Sequence, residues 1–274
     1  MNPITLIQSF LTTSLLILEL SGQCAALADD NLPDASTVMQ RAVERATQVA
    51  HTGEAGKYVY EKRRVIEELD EFGNVANTTE EIYEVILIQG LPFSRLVKIQ
   101  NRDLTEDEIK AENRKRQEFR QKISGRDPEQ MAKRNENWLT PALVERYDFK
   151  VERRDSYQNR PVLVLSFHPK MNCKSEKAIE DKVLNRLKGT VWVDEKEAEI
   201  ARVQVGLTES ILLGWFGLIG SIKQCDLDLE RKRLVDGVWA NEKQTVVLVG
   251  RKLFSAMRYR TLEESYNFSG GRAP

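Results

Sequence analysis

Only two histidines, His51 and His168, are available as general bases in this 274-residue chain. A hydrolase of the Ser-His-Asp or Cys-His kind needs a base held beside its nucleophile. His51 ends a predicted helix, where a protonated imidazole suits the helix dipole, and His168 ends a predicted strand before Pro169. Neither position favours a nucleophile and base pair, so the sequence predicts no enzyme of these classes.

Metal, phosphate and sugar chemistry have equally little support. A zinc site needs about four clustered Cys, His or carboxylate ligands, and no group of these residues shows ligand spacing. Gly214, Gly217 and Gly220 recur in an apolar run without the Lys-Ser or Lys-Thr of a phosphate-binding loop. Carboxylates are abundant, but nothing places an acid and a base across a cleft as glycosidases require. We expect no catalytic residues, no metal and no cofactor.

The balance of positive and negative residues argues against some classes of binding partner. The chain has 41 Lys and Arg against 42 Asp and Glu, and the two signs are interleaved. It therefore has no basic field that would attract nucleic acid or anionic lipid over long range. With 41% hydrophobic residues it can bury a core as one large domain or two small ones. We expect a monomer without a nucleic-acid partner.

The first 28 residues predict a secretory signal peptide. An apolar run that includes residues 15–18 is followed by Ala-Leu-Ala at residues 26–28, a small-x-small cleavage site. No Lys or Arg precedes the run and Glu19 interrupts its end, so a retained membrane anchor is the alternative. A lipid-modified Cys24 is disfavoured because a bulky Gln precedes it. We expect cleavage after Ala28.

Cleavage there would leave Cys173 and Cys225 as the only thiols, in an oxidising compartment. A disulfide between them would close a loop of about 52 residues, worth on the order of 4 kcal/mol in the chain-entropy model. Two buried free thiols are the alternative. The sequence leaves both open.

The periodicity of hydrophobic residues divides the first half of the chain into a helix, a set of strands and a charged helical segment. Residues 34–52 predict an amphipathic helix that packs on a sheet. Period-two alternation over residues 57–100 predicts a long hairpin and a third strand. A charged helical excursion over about residues 105–147 opens with a capping box of Thr105 and Glu108 and ends in an apolar stretch that can dock back on the sheet.

Residues 189–268 predict an antiparallel meander. The Asp-Gly pair at residues 236–237 supplies the positive φ angles of a tight hairpin. In the strand at 200–208, strict alternation predicts that Ala201 and Val203 share one face and that Arg202 takes the other. We therefore expect a half-buried sheet here.

An uncharged run from Ile211 to Gly220 interrupts the meander, although 30% of the chain is charged. Its three glycines each weaken any helix by roughly 1 kcal/mol. Its large apolar side chains exceed what a surface loop normally shows to water. One interpretation of residues 211–222 is a mobile lid or membrane-touching loop, and the alternative is an apolar loop tucked into the core.

The order of these elements resembles the outer-membrane lipoprotein-sorting protein superfamily, the LolA-like proteins. The most telling piece is Gly-x-Val-Trp-Val-Asp at residues 189–194 followed by Ile-x-Arg-Val at residues 200–203. The resemblance implies an α+β fold with a strongly curved antiparallel sheet, an unclosed half-barrel of about nine to eleven strands. Helices would cover the concave face, and residues 29–274 would form a single domain.

The resemblance also implies a function: a non-enzymatic periplasmic carrier or receptor that binds lipid or lipoprotein acyl chains and exchanges them with a membrane-bound donor or acceptor protein. A periplasmic sensor subunit of similar fold, binding an inner-membrane partner, is the alternative. The candidate acyl cavity and lid residues are the apolar positions of the meander and its uncharged run: Val203, Val205, Leu207, Leu213, Trp215, Phe216, Leu218, Ile219, Leu227, Leu229, Met257 and Tyr259.

Overall fold

A computed structural model of the chain describes residues 32–53, 55–124, 139–171, 179–213, 219–253 and 255–270. All of these residues belong to one compact unit, Leu32–Pro274. Within them, no helix has both the length and the hydrophobicity needed to span a bilayer.

Four α-helices, one short 3-10 helix (Ala55–Lys57) and twelve strands make up the described part of the chain. The α-helices are α1 (Ala35–Thr52), α2 (Glu106–Ile123), α3 (Pro141–Val144) and α4 (Ile179–Leu184). The strands are β1 (Tyr58–Leu69), β2 (Val75–Ile88), β3 (Leu91–Ile99), β4 (Arg102–Asp103), β5 (Tyr147–Tyr157), β6 (Arg160–Pro169), β7 (Leu187–Asp194), β8 (Ile200–Leu207), β9 (Ile211–Leu213), β10 (Gly220–Arg233), β11 (Trp239–Lys252) and β12 (Ser255–Gly270).

The helix ends follow from local side chains. The Asp34 carboxylate accepts a hydrogen bond from the Thr37 amide at 3.0 Å, which satisfies a free donor at the start of α1. Thr105 and Glu108 form the predicted capping box of α2. The predicted amphipathic helix and the start of the charged helix are both confirmed. Residues 125–138 of the predicted charged excursion lie outside the described residues.

All strands join one antiparallel sheet in the order β4-β3-β2-β1-β12-β11-β10-β8-β7-β6-β5, and β9 pairs with β10. The two end strands, β4 and β5, are not paired with each other, so the sheet does not close into a barrel. The predicted fold class is confirmed. The described strands number twelve, one more than the upper expectation. Two of them, β4 and β9, are only two and three residues long.

The long hairpin and the meander meet where the first strand pairs with the last. Arg64 of β1 lies opposite Glu263 of β12, and Val65 lies opposite Leu262. The predicted Asp-Gly turn at residues 236–237 joins β10 to β11, and the Gly237 amide donates to the Leu234 carbonyl at 3.0 Å.

The main core lies between α1 and strands β5 to β8. The apolar stripe of α1 is buried on this part of the sheet, as the helical period predicted. We call the sheet face that α1 covers the helix face. The buried residues of this core are Val38, Met39, Ala42, Val43, Leu139, Val151, Leu163, Leu165, Val191, Val193, Ile200 and Val203.

Two smaller clusters lie elsewhere on the sheet. Ile123 of α2 packs against Ile88, Leu91 and Phe93 at the hairpin of β2 and β3. A third cluster consists of Val162, Ala201 and Trp239.

The expectation that Ala201 shares a face with Val203 is wrong. Val203 belongs to the core under α1, whereas Ala201 packs with Val162 and Trp239. The pairing of β7 with β8 shifts at this point, because Trp192 lies opposite Arg202 while Val193 lies opposite Ile200. Ala201 is thus the extra residue of a β-bulge, which breaks the two-residue alternation.

One row of directly paired residues crosses the sheet on the helix face. Residues paired across neighbouring strands share a face. The row is apolar from β5 to β10 and polar from β11 to β2, and we call these two parts of the helix face its apolar half and its polar half. The row consists of Val151, Leu165, Val191, Val203, Leu229, Gln244, Glu263, Arg64 and Glu81.

Gly189 of β7 is required by a close backbone approach. A Cβ atom at this position would lie 1.9 Å from the Gln204 carbonyl oxygen, and the Phe167 ring also comes within 3.0 Å. The Gly189→Ala variant should therefore lower the free energy of unfolding by about 1–3 kcal/mol, the cost of overpacking. Urea denaturation measures this change.

Gly270→Ala is the matched control. Gly270 is also a strand glycine, and a Cβ atom there would meet no other atom within 4 Å. Its stability should stay within about 0.5 kcal/mol of the wild type. Equal stabilities of the two variants would contradict the close approach at Gly189.

Candidate functional site

An apolar cavity of about 130 Å³ lies on the helix face, between the helices and strands β5 to β8. Met39 of α1, Leu143 of α3 and Leu184 of α4 line it from the helix side. Val191 and Val203 line it from the sheet. A wall of this chemistry can hold hydrocarbon by apolar burial but offers few directional contacts.

Aromatic side chains form the end of the cavity nearest β5 and β6. The Tyr147 ring meets the Phe167 ring edge to face at 5.2 Å between centroids, and Phe149 lies 5.7 Å from Phe167. The Tyr147 hydroxyl donates to the Leu184 carbonyl at 2.6 Å, which ties the end of α4 to β5. The predicted docking of the apolar end of the charged excursion on the sheet is thereby confirmed for Leu143 and Tyr147.

Some of the predicted site residues meet at this cavity. Val203 and Val205 line it, and Leu229 packs beside the same core. Leu227 lines a different groove, described below. Three further predicted residues are half-buried but do not line the cavity: Leu207, Met257 and Tyr259.

The uncharged run of residues 211–222 is only partly described. Its ends form the paired strand β9 and the start of β10, with Ile211 buried and Ile219 exposed. The Leu213 side chain and residues Trp215, Phe216 and Leu218 lie outside the described residues. The choice between a lid and a core loop therefore stays a prediction.

Nine of the eleven missed lining residues of the cavity come from outside the meander, and the other two, Val191 and Ile200, lie within it. The apolar stripe of α1 was predicted as a core element, but no local pattern assigns it and the strands around residues 149–167 to a shared cavity. The missed lining residues are Met39, Leu139, Leu143, Val144, Tyr147, Phe149, Phe167, Leu184, Leu187, Val191 and Ile200.

A buried ionic network fixes α1 to the sheet next to this core. Arg45 of α1 donates to the Glu199 carboxylate at 3.0 Å, and Arg231 of β10 donates to the other oxygen of that carboxylate at 3.0 Å. Arg231 also donates to the carbonyls of Ile200 and Trp239, at 2.9 and 3.0 Å. Because Glu199 is buried, its two arginine partners offset the cost of burying its charge.

Asp194 closes the turn between β7 and β8. Its carboxylate is fully buried and receives two hydrogen bonds from Arg160, at 2.6 and 3.0 Å. The amides of Lys196 and Glu197 also donate to it, at 3.0 and 2.8 Å. Burial raises the pKa of Asp194, but the bonds from Arg160 and the amides outweigh burial and hold that pKa below its usual value.

The polar half of the helix face carries its own ionic cluster. Arg64 lies 2.6 Å from Glu263 and 3.7 Å from Glu81, and Lys62 lies 3.6 Å from Glu263. Both cations lie over the Tyr83 ring, about 5 Å from its centroid. Burial lowers the pKa of Lys62, although Glu263 opposes this shift. Each cation of this cluster therefore has a carboxylate partner on the sheet.

Other grooves of the described surface are wider than the apolar cavity. One, of about 580 Å³, is lined by residues that include Thr190, Gln204, Asp228 and the predicted site residue Leu227. Another, of about 770 Å³, is lined on part of its wall by Arg45, Lys57, Glu197 and Arg233. Both lie outside the apolar cavity, although Val205 and Phe167 border the first groove as well.

The described residues hold no cluster of His, Cys, Asp or Glu that could bind a metal ion. Cys225 is half-buried on β10, where burial raises the pKa of its thiol. Cys173 lies outside the described residues, so the disulfide between these two cysteines stays a prediction.

The Asp194→Asn variant tests the buried ion pair. Removal of the charge leaves Arg160 with Glu197, at 3.3 Å, as its carboxylate partner, so the free energy of unfolding at about pH 7 should fall by about 1–3 kcal/mol. The lowered pKa contributes stability above the unfolded value near 3.9 and loses it as pH falls through the lower folded value. The difference between wild type and variant in urea denaturation should therefore shrink below about pH 4.

Asp107→Asn supplies the control, because the Asp107 side chain is 93% exposed. Its stability should stay within about 0.5 kcal/mol of the wild type. A difference at Asp194 that does not depend on pH would show that the ion pair is not its source.

No protein-family model matches the chain, and no curated protein matches it. Among solved structures, the chain is similar to an outer membrane lipoprotein-sorting protein domain from Vibrio parahaemolyticus, with 11% identity, coverage of 86% of this chain and 93% of the other, and a TM-score of 0.36. It is also similar to a LolA superfamily protein from Nitrosomonas europaea, with 10% identity, coverage of 86% and 94%, and a TM-score of 0.31.

The complex of MucA and MucB from Pseudomonas aeruginosa also matches, with 11% identity, coverage of 88% of this chain and 100% of the other, and a TM-score of 0.24. At these identities and TM-scores, the likenesses support no inference about a ligand. The solved structures similar to this chain thus include lipoprotein-sorting and LolA superfamily proteins, the superfamily that the sequence resembles.

Proposed function

We propose that the chain is a non-enzymatic carrier or receptor in the periplasm that binds acyl chains of lipids or lipoproteins on the helix face of its sheet. The observation that carries this proposal is the cavity of about 130 Å³ between the helices and β5 to β8. Every side chain that lines it is apolar or aromatic, so it suits hydrocarbon and not a polar metabolite.

The size of the cavity sets how binding must work. An apolar cavity of about 150 Å³ holds one benzene molecule, so the present cavity holds only a short piece of an acyl chain. A whole chain requires the helices to move away from the sheet. Met39, Leu139 and Leu143 line the cavity on the side opposite the sheet. Displacing them would open the apolar half of the helix face.

The polar half of the helix face suits the rest of such a ligand. The paired row changes from Leu229 to Gln244 at the boundary of β10 and β11. An acyl chain can lie over the apolar strands while its polar end faces the charged strands, because transfer of a polar group into hydrocarbon is costly. This arrangement favours an amphiphile over a plain hydrocarbon.

The Val203→Phe variant tests the proposal by filling the cavity. The larger side chain occupies the space that an acyl chain would take, so affinity for a fluorescent fatty acid should fall by about tenfold or more. Fluorescence titration of purified protein measures the affinity. Native mass spectrometry of the wild type, purified from its own envelope, should show bound lipid.

Val85→Phe is the matched control. Val85 is also a buried strand valine, but it lies on β2 and does not line the cavity. Both changes should cost roughly 1–3 kcal/mol of stability through overpacking. Equal fatty-acid affinity of the two variants would refute binding in this cavity. A wild type that is purified without lipid and that binds no fatty acid would refute the carrier function.

A regulatory subunit that binds an inner-membrane protein is the second candidate. The groove of about 580 Å³ favours it, because this groove is wider than the apolar cavity and its wall combines apolar side chains such as Leu227 with polar ones such as Thr190 and Gln204. Cross-linking in intact cells from a photoreactive residue at Thr190 should then trap one membrane protein. A photoreactive residue at Phe72, on the exposed β1–β2 turn, is the control position.

A further inference from the structure

Lys62 of β1 has unused hydrogen-bond donors on the helix face. It lies two residues from Arg64 on a regularly paired part of β1, so the two side chains share this face. Among the described residues, Glu263 has the carboxylate nearest to the Lys62 ammonium, and its distance of 3.6 Å is too long for a hydrogen bond. None of the ammonium donors is bonded to a described residue.

The other cation of this cluster is better bonded. Arg64 donates to the Glu263 carboxylate at 2.6 Å and to the Tyr83 hydroxyl at 3.3 Å. Only 14% of the Lys62 side chain is exposed, but its ammonium nitrogen still has contact with solvent. Burial lowers the pKa of Lys62, as expected for an ammonium with few hydrogen bonds. A ligand oxygen that reaches Lys62 would satisfy a half-buried donor.

The charges of the cluster determine which kind of oxygen fits. Lys62 and Arg64 balance Glu81 and Glu263, so the cluster has no net charge. A ligand carboxylate at Lys62 would also lie close to the Glu263 carboxylate, and juxtaposed like charges repel. An uncharged acceptor avoids this repulsion. The cluster thus favours a carbonyl oxygen over a carboxylate or a phosphate.

A neighbouring row of paired residues leads from the cavity to this cluster. Val205 lines the cavity, and residues paired across each following strand continue the row to β1. Four strand spacings separate β8 from β1, about 19 Å along the sheet. All five side chains are half-buried, and only the threonine is polar. The row consists of Val205, Leu227, Val246, Thr261 and Ile66.

We propose that Lys62 binds the carbonyl oxygen of an esterified acyl chain, so that the protein prefers acyl esters to free fatty acids. The hydrocarbon would lie on the row from Val205 to Ile66, and the carbonyl would accept a hydrogen bond from the ammonium. A single polar contact of this kind fixes orientation and specificity in an otherwise apolar site. The inference rests on the proposed acyl-chain function and names the polar group that this function recognises.

Displacement of a fluorescent fatty acid from the full chain tests the assignment. The competitors are monolauroyl glycerol and its ether analogue, monododecyl glycerol, which has the same head group without the carbonyl. The wild type should bind the ester about tenfold or more tightly than the ether, the effect of one hydrogen bond from a charged donor. Laurate, which has the carboxylate in place of the ester, should also bind more weakly than the ester.

The Lys62→Met variant removes the donors and keeps a long side chain, so it should bind ester and ether equally. Lys62→Arg keeps the charge and the donors and should retain a preference for the ester. Lys98→Met, at an exposed lysine of β3, is the control and should behave as the wild type does. Thermal unfolding of each variant checks that it is folded.

The Glu81→Gln variant tests the charge balance. It keeps an acceptor for the Tyr83 hydroxyl, which donates to Glu81 at 2.8 Å, but it leaves the cluster with a net positive charge. Laurate should then gain affinity relative to the ester by roughly fivefold. An unchanged ratio of the two affinities would contradict the role of charge balance.

The assignment of Lys62 is overturned if the wild type binds ester and ether equally, or if Lys62→Met still prefers the ester. A wild type that prefers laurate to the ester would show an anion site instead. Each of these results leaves the acyl-chain function standing, because the fluorescent fatty acid still binds. A wild type that binds neither the fatty acid nor the glycerol lipids would refute both the function and the assignment.

Discussion

The contact between α1 and strands β5 to β8 is the interaction on which the rest of the structure depends. An isolated helix of this length is marginal in water, and the apolar half of the helix face would be exposed without its cover. Burial of a Val, Leu or Met side chain contributes roughly 1.5–3 kcal/mol. The Arg45–Glu199 pair adds less, because the cost of desolvating the two charges offsets most of their attraction. We infer that apolar burial holds α1 on the sheet and that the Arg45–Glu199 pair fixes its position there.

The position of this contact follows from the division of the helix face into an apolar half and a polar half. Between Leu229 and Gln244 the paired row changes from apolar to polar, and α1 lies only over the apolar side. On the polar side, Arg64 and Glu263 satisfy each other at the sheet surface. A helix placed over them would bury charge at a cost that packing does not recover. The side-chain chemistry of this row thus determines where α1 can pack on the sheet.

Local sequence patterns were sufficient to predict most helices and strands, because caps, turns and hydrophobic periods depend on residues close in sequence. The capping box of Thr105 and the Asp-Gly turn are examples. The bulge at Ala201 could not be predicted, since it is a property of pairing with β7. The cavity was missed for a related reason: its wall joins Met39 to Val203, and only the strand order brings these residues together. Arg45 and Glu199, 154 positions apart, show the same limit.

Because the cavity is small, the length of the acyl chain is the variable that distinguishes the two candidate functions. Lifting α1 exposes three large buried side chains, Val38, Met39 and Val43, which costs about 4.5–9 kcal/mol at the usual value for each. An acyl chain recovers roughly 0.8 kcal/mol per buried methylene. About six to eleven methylenes are therefore needed to offset the opening. A long acyl chain exceeds this number and can hold α1 away from the sheet, whereas a short amphiphile cannot. A protein partner in the groove of about 580 Å³ would leave α1 in place, so its binding would show no dependence on acyl length.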